Sequence, residues 1–176
     1  MDYMEGKYRP RVLALLTKDV GGKTHVLARQ NKKDRSSSPY HFPGGGTDGQ
    51  PLLRAARREA LEEVGYRINR PTIIQQPREY ILHDKWKAHV KKKRGVDALG
   101  IKQSIVHGRL GKKDRRLYGS EGDAMEGARL YPIDEVIDKM DRFTRRAERG
   151  KETNYHPAVK TNRDLIETLR LIEKGK

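Results

Sequence analysis

Cysteine is absent from this 176-residue chain, which removes disulfides, thiolate metal sites and a cysteine nucleophile from consideration. That absence fits a cytoplasmic protein. Long apolar runs are missing too: the longest is Val12-Leu13-Ala14-Leu15-Leu16, too short to span a bilayer or serve a signal peptide. No internal repeat or low-complexity block is present. Acidic residues are in the minority, with 24 Asp and Glu against 39 Lys and Arg and a net charge of +15. A polyanionic partner is therefore implied from the outset. Hydrophobic residues make up 34% and charged residues 36%, a polar balance that still suffices for one core at this length. The length itself predicts one domain over 1–176 with a tail or an insertion.

The positive charge is concentrated. Residues 85–116 carry 12 Lys and Arg and two Asp, so +10 of the total +15 lies in that stretch. Around it, residues 11–17 and 24–30 read as two strands of a hairpin, with Gly21-Gly22 at the turn. Residues 31–39 read as a loop, 40–42 as a short strand, 51–64 as a helix and 72–83 as an extended segment. Strand character returns near 101–110 and at 128–131. Helices follow over 132–149 and about 157–173, the last burying Leu165, Leu169 and Ile172 at helical spacing. Strands early and late with helices between and after predict an α/β or α+β domain.

The chemistry is concentrated in residues 44–66, GGGTDGQPLLRAARREALEEVGY. Gln50 or Asp48 is suited to cap the helix, Pro51 to its first position, and Gly65 to a left-handed C-terminal cap. On a helical wheel with Glu59 at 0°, Glu62 falls near 300° and Glu63 near 40°, against about 100° to 140° for Leu53, Ala60 and Val64. The three carboxylates are thus expected on one face, away from the buried stripe. Like charges at this spacing weaken a helix, so something has to compensate. Solvation with relief from Arg54, Arg57 and Arg58 is one answer. A hard-oxygen site for Mg²⁺ or Mn²⁺ beside a glycine loop that lets a phosphate approach is the other.

This segment resembles the Nudix box, G-x5-E-x7-R-E-U-x-E-E-x-G-U, where U is a bulky apolar residue. Gly44, Arg58, Glu59, Glu62, Glu63 and Gly65 match at the right spacing, a coincidence expected about once in a million windows at ordinary residue usage. Phe42-Pro43-Gly44-Gly45 also resembles the strand end that precedes the box. Gln50 stands where the pattern has its first glutamate, Ala60 and Tyr66 occupy the U positions, and Asp48 is a nearby substitute for the missing charge. The resemblance implies an α/β/α sandwich with a mixed central sheet, here with a basic insertion at about 85–116 and a C-terminal helix.

It also implies a Mg²⁺-dependent pyrophosphohydrolase of nucleoside-diphosphate-linked substrates, with Mn²⁺ an alternative cation. By match, Glu59, Glu62 and Glu63 ligate the metal with the Gly44 carbonyl, Glu59 is the general base and Arg58 orients the glutamates. Gly45 and Gly46 leave room for phosphate. Glu126, with Glu121 second, is the candidate distal acid ligand. The six histidines show no paired metal-ligand spacing. The charge favours strongly anionic substrates, a dinucleoside polyphosphate or an RNA 5′ end. Tyr8-Arg9-Pro10-Arg11-Val12 resembles the opening of RNA 5′-pyrophosphohydrolases. PGGG with His156-Pro157 resembles diphosphoinositol and diadenosine polyphosphate hydrolases. Lys91, Lys92, Lys93 and Arg94, interleaved upstream with Trp86 and His89, suit phosphate contacts and stacking. A solvated, extended loop is the plain alternative for that run. A small-nucleotide hydrolase (ADP-ribose, NADH or a nucleoside triphosphate) and a catalytically idle nucleotide- or RNA-binding module are the competing functions.

Overall fold

Unbroken apolar runs along 12–16 and 26–28 put apolar side chains on both faces of a sheet, with a core on each side. The computed structural model describes residues 4, 6–31, 38–82, 84–95, 97–114, 116, 118–119, 124–149 and 156–175, without the side chains of 85, 86, 93, 94 and 156–158. Strands β1 (Tyr8–Val20) and β2 (Lys23–Gln30) form the expected hairpin, with Gly21 and Gly22 at positive φ in the turn. Then come β3 (Tyr40–His41), β4 (Gly44–Gly46), α1 (Leu52–Glu59) running into a π-turn (Ala60–Val64), and β5 (Tyr66–Ile81). The remainder is α2 (Asp84–Arg94), β6 (Gly100–Lys113), β7 (Arg129–Pro132), α3 (Ile133–Arg149) and α4 (His156–Lys174).

The strand order is β3-β2-β1-β6-β5, with β4 pairing β1 and β7 pairing β2. Among the described strands only β1 and β6 run parallel, so the sheet is mixed. On one face, Val12, Ala14 and Leu16 pack against Ala55, Ala56 and Ala60 of the α1 segment. Alanines on that helix allow close approach to the sheet. On the other face, Leu15, Val26 and Ile105 pack against Val136, Ile137 and Met140 of α3 and Leu165, Ile166 and Leu169 of α4. Arg163 ties the two helices, bonding Glu148 at 2.7 Å and Asp141 at 2.9 Å. The result is the expected α/β/α arrangement around a mixed sheet.

Three expectations are corrected. Within residues 85–116, the run for which a solvated, extended loop was the plain alternative is helical, while the strand expected near 101–110 is present. Their first part is α2, favoured by good helix formers and the Asp84–Lys87 pair, and ended by Gly95 at positive φ. Their second part is β6, held between β1 and β5. At the start of α1, Pro51 is the N-cap and no side chain caps the helix, so neither Gln50 nor Asp48 serves there. Strand β5 begins at Tyr66, earlier than expected, because Gly65 turns the chain straight into it at φ 70°.

His41 on β3 is half-buried opposite Arg29. Burial, aided by Arg29 and Arg11, pulls its imidazole down to about 4. The unfolded chain protonates this group near 6.5. Its contribution to stability is thus complete above that value and is lost as pH falls towards about 4. His107, lowered by burial and Arg109, works in the same direction. We expect His41→Gln to remove up to about 3 kcal/mol of the stability change between pH 7 and pH 4, read as urea midpoints at each pH. An unaltered pH profile would show that His41 is not held neutral by the fold.

Candidate active site

The glycines of β4 meet the polar side of the α1 segment residue by residue. The Gly44 amide donates to Glu63 Oε2 at 2.8 Å in a buried hydrogen bond. A Cβ on Gly45 would lie 2.5 Å from both carboxylate oxygens of Glu59, so no other residue fits there without displacing that side chain. The Gly46 carbonyl accepts from Arg58 Nη2 at 2.6 Å. Positions 44, 45 and 46 thus face 63, 59 and 58 in antiparallel order. On its other side, β4 lies flat on β1, where a Cβ on Gly44 would come 2.4 Å from the Val12 carbonyl oxygen.

Arg58 is the hub. Its Nη2 lies 2.9 Å from Glu59 Oε1 and 2.8 Å from Asp48 Oδ2, and its Nη1 lies 3.2 Å from Glu62 Oε2. Only 17% of its side-chain surface is exposed. Glu59 and Glu63 are buried at 7% and 8% exposure, so of the two answers left open by the sequence, plain solvation does not hold for them. Their burial arises because β4, a strand of glycines, packs on that face and closes it. Arg54 and Arg57 are exposed, so the compensation falls on Arg58 rather than on all three arginines.

The π-turn over Ala60–Val64 is wider than an α-turn and redirects the carbonyls at its end. The Gly119 and Met125 amides donate to the Glu62 and Glu63 carbonyls at 2.8 and 2.7 Å. This brings the segment around Glu126 to the end of the helix, although Glu126 itself is exposed. Glu121 lies outside the described residues. Asp48 joins the site by a route other than capping. Asp48 and Gly49 both have positive φ, 50° and 75°, and the Gln50 amide donates to the Thr47 carbonyl, the pattern of a hairpin-type turn that favours Asp-Gly. That turn presents the Asp48 carboxylate to Arg58. Gln50 Oε1 is buried with no hydrogen-bond partner.

Three carboxylates around a glycine strand have the hard-oxygen chemistry that Mg²⁺ or Mn²⁺ takes. Among the described residues no three His, Asp or Glu side chains converge as a finished cation cage. Arg58 supplies the compensating positive charge in this arrangement, and the Gly44 carbonyl accepts from Arg11 Nη2 at 3.3 Å. The oxygen donors suit such a cation in chemistry. Arg11 was not singled out from the sequence as a site residue. Its signal was its place on β1 directly opposite Gly46, which only the strand register reveals. Lys91 and Lys92 are exposed on α2, Lys91 lying 3.4 Å from Asp97. The Arg94, Lys93 and Trp86 side chains lie outside the described residues.

A mixed sheet between helical layers, with a glycine strand zipped to a glutamate- and arginine-bearing helix, defines a member of one family. A sequence model of the NUDIX domain matches residues 7–150, and the chain belongs to that family. Membership makes it a hydrolase acting on phosphoanhydride bonds. Among solved structures, it is similar to a NUDIX hydrolase from Nitrosomonas europaea, 17% identical, over 95% of this chain and 91% of that one, with a TM-score of 0.52. An ADP compounds hydrolase is 19% identical over 94% and 74% of the two chains, with a TM-score of 0.50. A C. elegans Ap4A hydrolase binary complex is 15% identical over 96% and 99%, with a TM-score of 0.48. At these identities the likeness is one of fold. No curated protein matches the chain in sequence. Among the described residues no helix is long and apolar enough to cross a membrane.

Arg58→Ala would leave Glu59, Glu62 and Asp48 without the cation that holds them. We expect a loss of about 3 kcal/mol in metal-free buffer, the usual cost of breaking a poorly solvated ion pair, measured by urea denaturation. Arg57→Ala, on an exposed site, is expected to change stability by less than about 0.5 kcal/mol. Equal effects for the two arginines would refute the hub role of Arg58.

Proposed function

We propose that this chain is a Mg²⁺-dependent pyrophosphohydrolase of nucleoside-diphosphate-linked substrates, preferring strongly anionic ones such as a dinucleoside polyphosphate. The observation that carries the reading is the three-rung contact of Gly44, Gly45 and Gly46 with Glu63, Glu59 and Arg58. It gathers acidic side chains against a strand whose lack of side chains lets the helix approach closely. Glu59, Glu62 and Glu63 hold the cation, Mg²⁺ or Mn²⁺, with the Gly44 carbonyl and Glu126 as further oxygen ligands. When bound, the cation supplies charge neutralisation on the diphosphate and acidification of the attacking water.

The chain's own residues do the rest. Glu59 takes the proton of the attacking water, whose oxygen bonds to phosphorus as the anhydride P–O bond breaks and one phosphate leaves. Arg58 holds Glu59 and Glu62 in place, and the bare strand at Gly45 and Gly46 admits the phosphates. The whole unit, 1–176, acts as one domain, and the cysteine-free composition supports a cytoplasmic location.

Release of nucleoside monophosphate from a substrate panel with Mg²⁺ tests the activity. The double variant Glu62→Gln, Glu63→Gln is expected to lower kcat by at least about a hundredfold, since it removes two of the three charged ligands. Because Gln keeps the shape and helix preference, circular dichroism should be unchanged. A fully active double variant would rule out the assignment.

A second reading, an RNA 5′ end as substrate, is favoured by one feature, the cationic helix α2. Here Lys91, Lys92 and Arg94 would contact the RNA backbone. Replacing Lys91 and Lys92 with Ser should then flatten the salt dependence of KM for a 5′-triphosphorylated RNA by about 0.7 in log–log slope for each phosphate no longer neutralised. Identical slopes in variant and wild type would leave the dinucleotide or small-nucleotide reading, ADP-ribose, NADH or a nucleoside triphosphate among them.

A further inference from the structure

Each terminal nitrogen of an arginine carries two hydrogens. Arg58 Nη2 nevertheless has three oxygens close to it: the Gly46 carbonyl at 2.6 Å, Asp48 Oδ2 at 2.8 Å and Glu59 Oε1 at 2.9 Å. One acceptor is surplus. Nη1 adds Glu62 Oε2 at 3.2 Å. These partners come from two sides. Gly46 and Asp48 belong to β4 and the turn after it, whereas Glu59 and Glu62 belong to the helical segment. The two glutamates are also the carboxylates assigned to the cation, so the guanidinium and the cation compete for Glu59.

Asp48 differs from the other carboxylates on Arg58. Its side chain is 46% exposed, against 9% for Glu59 and 13% for Glu62. It is held by the backbone of its turn, at φ 50° beside Gly49 at 75°, rather than by the helix. Glycine at 46 makes room for it: a Cβ there would lie 3.0 Å from Asp48 Oδ1 and 2.8 Å from Arg9 Nη2. Gln50, the other polar side chain near the start of α1, is neutral, and its Oε1 is buried with no hydrogen-bond partner. The negative charge of residues 47–51 is that of Asp48 alone.

We propose that Asp48 is a positioning residue for cation loading, retaining Arg58 when a divalent cation draws Glu59 away. This rests on the cation site of the hydrolase reading above. Once Glu59 has turned to the cation, Nη2 keeps two acceptors, Gly46 and Asp48, for its two hydrogens. The poorly solvated guanidinium also keeps a counter-charge on that nitrogen. Without the Asp48 carboxylate, Glu59 is the sole charged partner of Nη2, and giving it up leaves the arginine undercompensated. Arg58 then holds Glu59 back from the cation. The metal-free fold, by contrast, loses only the surplus acceptor.

Asp48→Asn isolates the charge, because asparagine keeps the shape and suits the left-handed turn. Mn²⁺ titration, read from the paramagnetic resonance of the free ion, needs no substrate. Asp48→Asn is expected to weaken the Mn²⁺ Kd about tenfold, the size of one hydrogen bond to a charged group. Its urea midpoint in EDTA should match wild type, while the rise in midpoint produced by Mn²⁺ should shrink. In an Arg58→Gln background the same change should alter Kd by no more than about threefold, the reach of a solvent-screened charge. Mn²⁺ binding by Asp48→Asn equal to wild type overturns the proposal. A tenfold loss repeated in the Arg58→Gln background also overturns it, since Asp48 would then act on the cation directly. An equal loss of stability with and without Mn²⁺ would make Asp48 merely structural, and this comparison stands even if Arg58→Gln fails to fold. Wild-type protein that binds no Mn²⁺ would sink the cation site itself, and the proposal with it.

Discussion

The Arg58 guanidinium is the interaction on which the rest of the site depends. It reaches the Gly46 carbonyl, Asp48, Glu59 and Glu62 within 3.2 Å. Without it, a helix segment with three glutamates within five residues would repel itself. Two of those glutamates are also buried, and a buried carboxylate with no compensating charge or hydrogen bond is far costlier than an exposed one. Arg58 thus compensates buried Glu59, while Glu63 accepts from the Gly44 amide, and carboxylates held out of water interact more strongly with a cation. Lysine would not serve equally, because one ammonium lacks the planar fork that reaches a carbonyl and several carboxylates at once.

That constraint fixes the local backbone. The strand that presents its carbonyl to Arg58 must approach the helix closely enough to touch Glu59, so a side chain at position 45 would have to displace that carboxylate. It must also lie against β1, where a Cβ at position 44 would strike the Val12 carbonyl. Glycine at both positions follows from sterics on two opposite sides. The turn that then carries the chain into the helix places Asp48 in a left-handed conformation, tolerated by Asp more readily than by most residues. At the other end, the π-turn leaves the Glu62 and Glu63 carbonyls to accept amides from 119 and 125, anchoring the next loop without a side chain.

Much of this was legible in the sequence where the signal is local. Gly21-Gly22, Gly65 and the apolar spacing of α3 and α4 announce their elements because the cause lies within a few residues. The spacing of Gly44, Arg58, Glu59, Glu62, Glu63 and Gly65 exposes the site for the same reason. What was not legible depends on partners distant in the chain. A helical wheel places Glu59 and Glu63 away from the buried stripe because it contains no β4. The run of lysines in α2 has few apolar residues at helical spacing, so it reads as a loop although its residues favour helix. The strand expected near 101–110 is present, but its central place is hidden in the sequence because its partners are some 90 residues away in β1 and some 30 away in β5.

Register is the deepest of these hidden relations. Arg11 and Arg78 are ordinary arginines in the sequence, 67 positions apart, and nothing in their neighbourhoods links them. Pairing through Gln103 places them on one face and in one row with the glycine strand. The net charge of +15 suggested a polyanionic partner, and the conspicuous basic run was the obvious place to look for its docking site. Yet at least two of the lysines in that run, Lys87 and Lys91, already face Asp84 and Asp97, and exposed cations beside such partners offer a phosphate little. Cations spread one per strand across a sheet face contribute less to any local charge count.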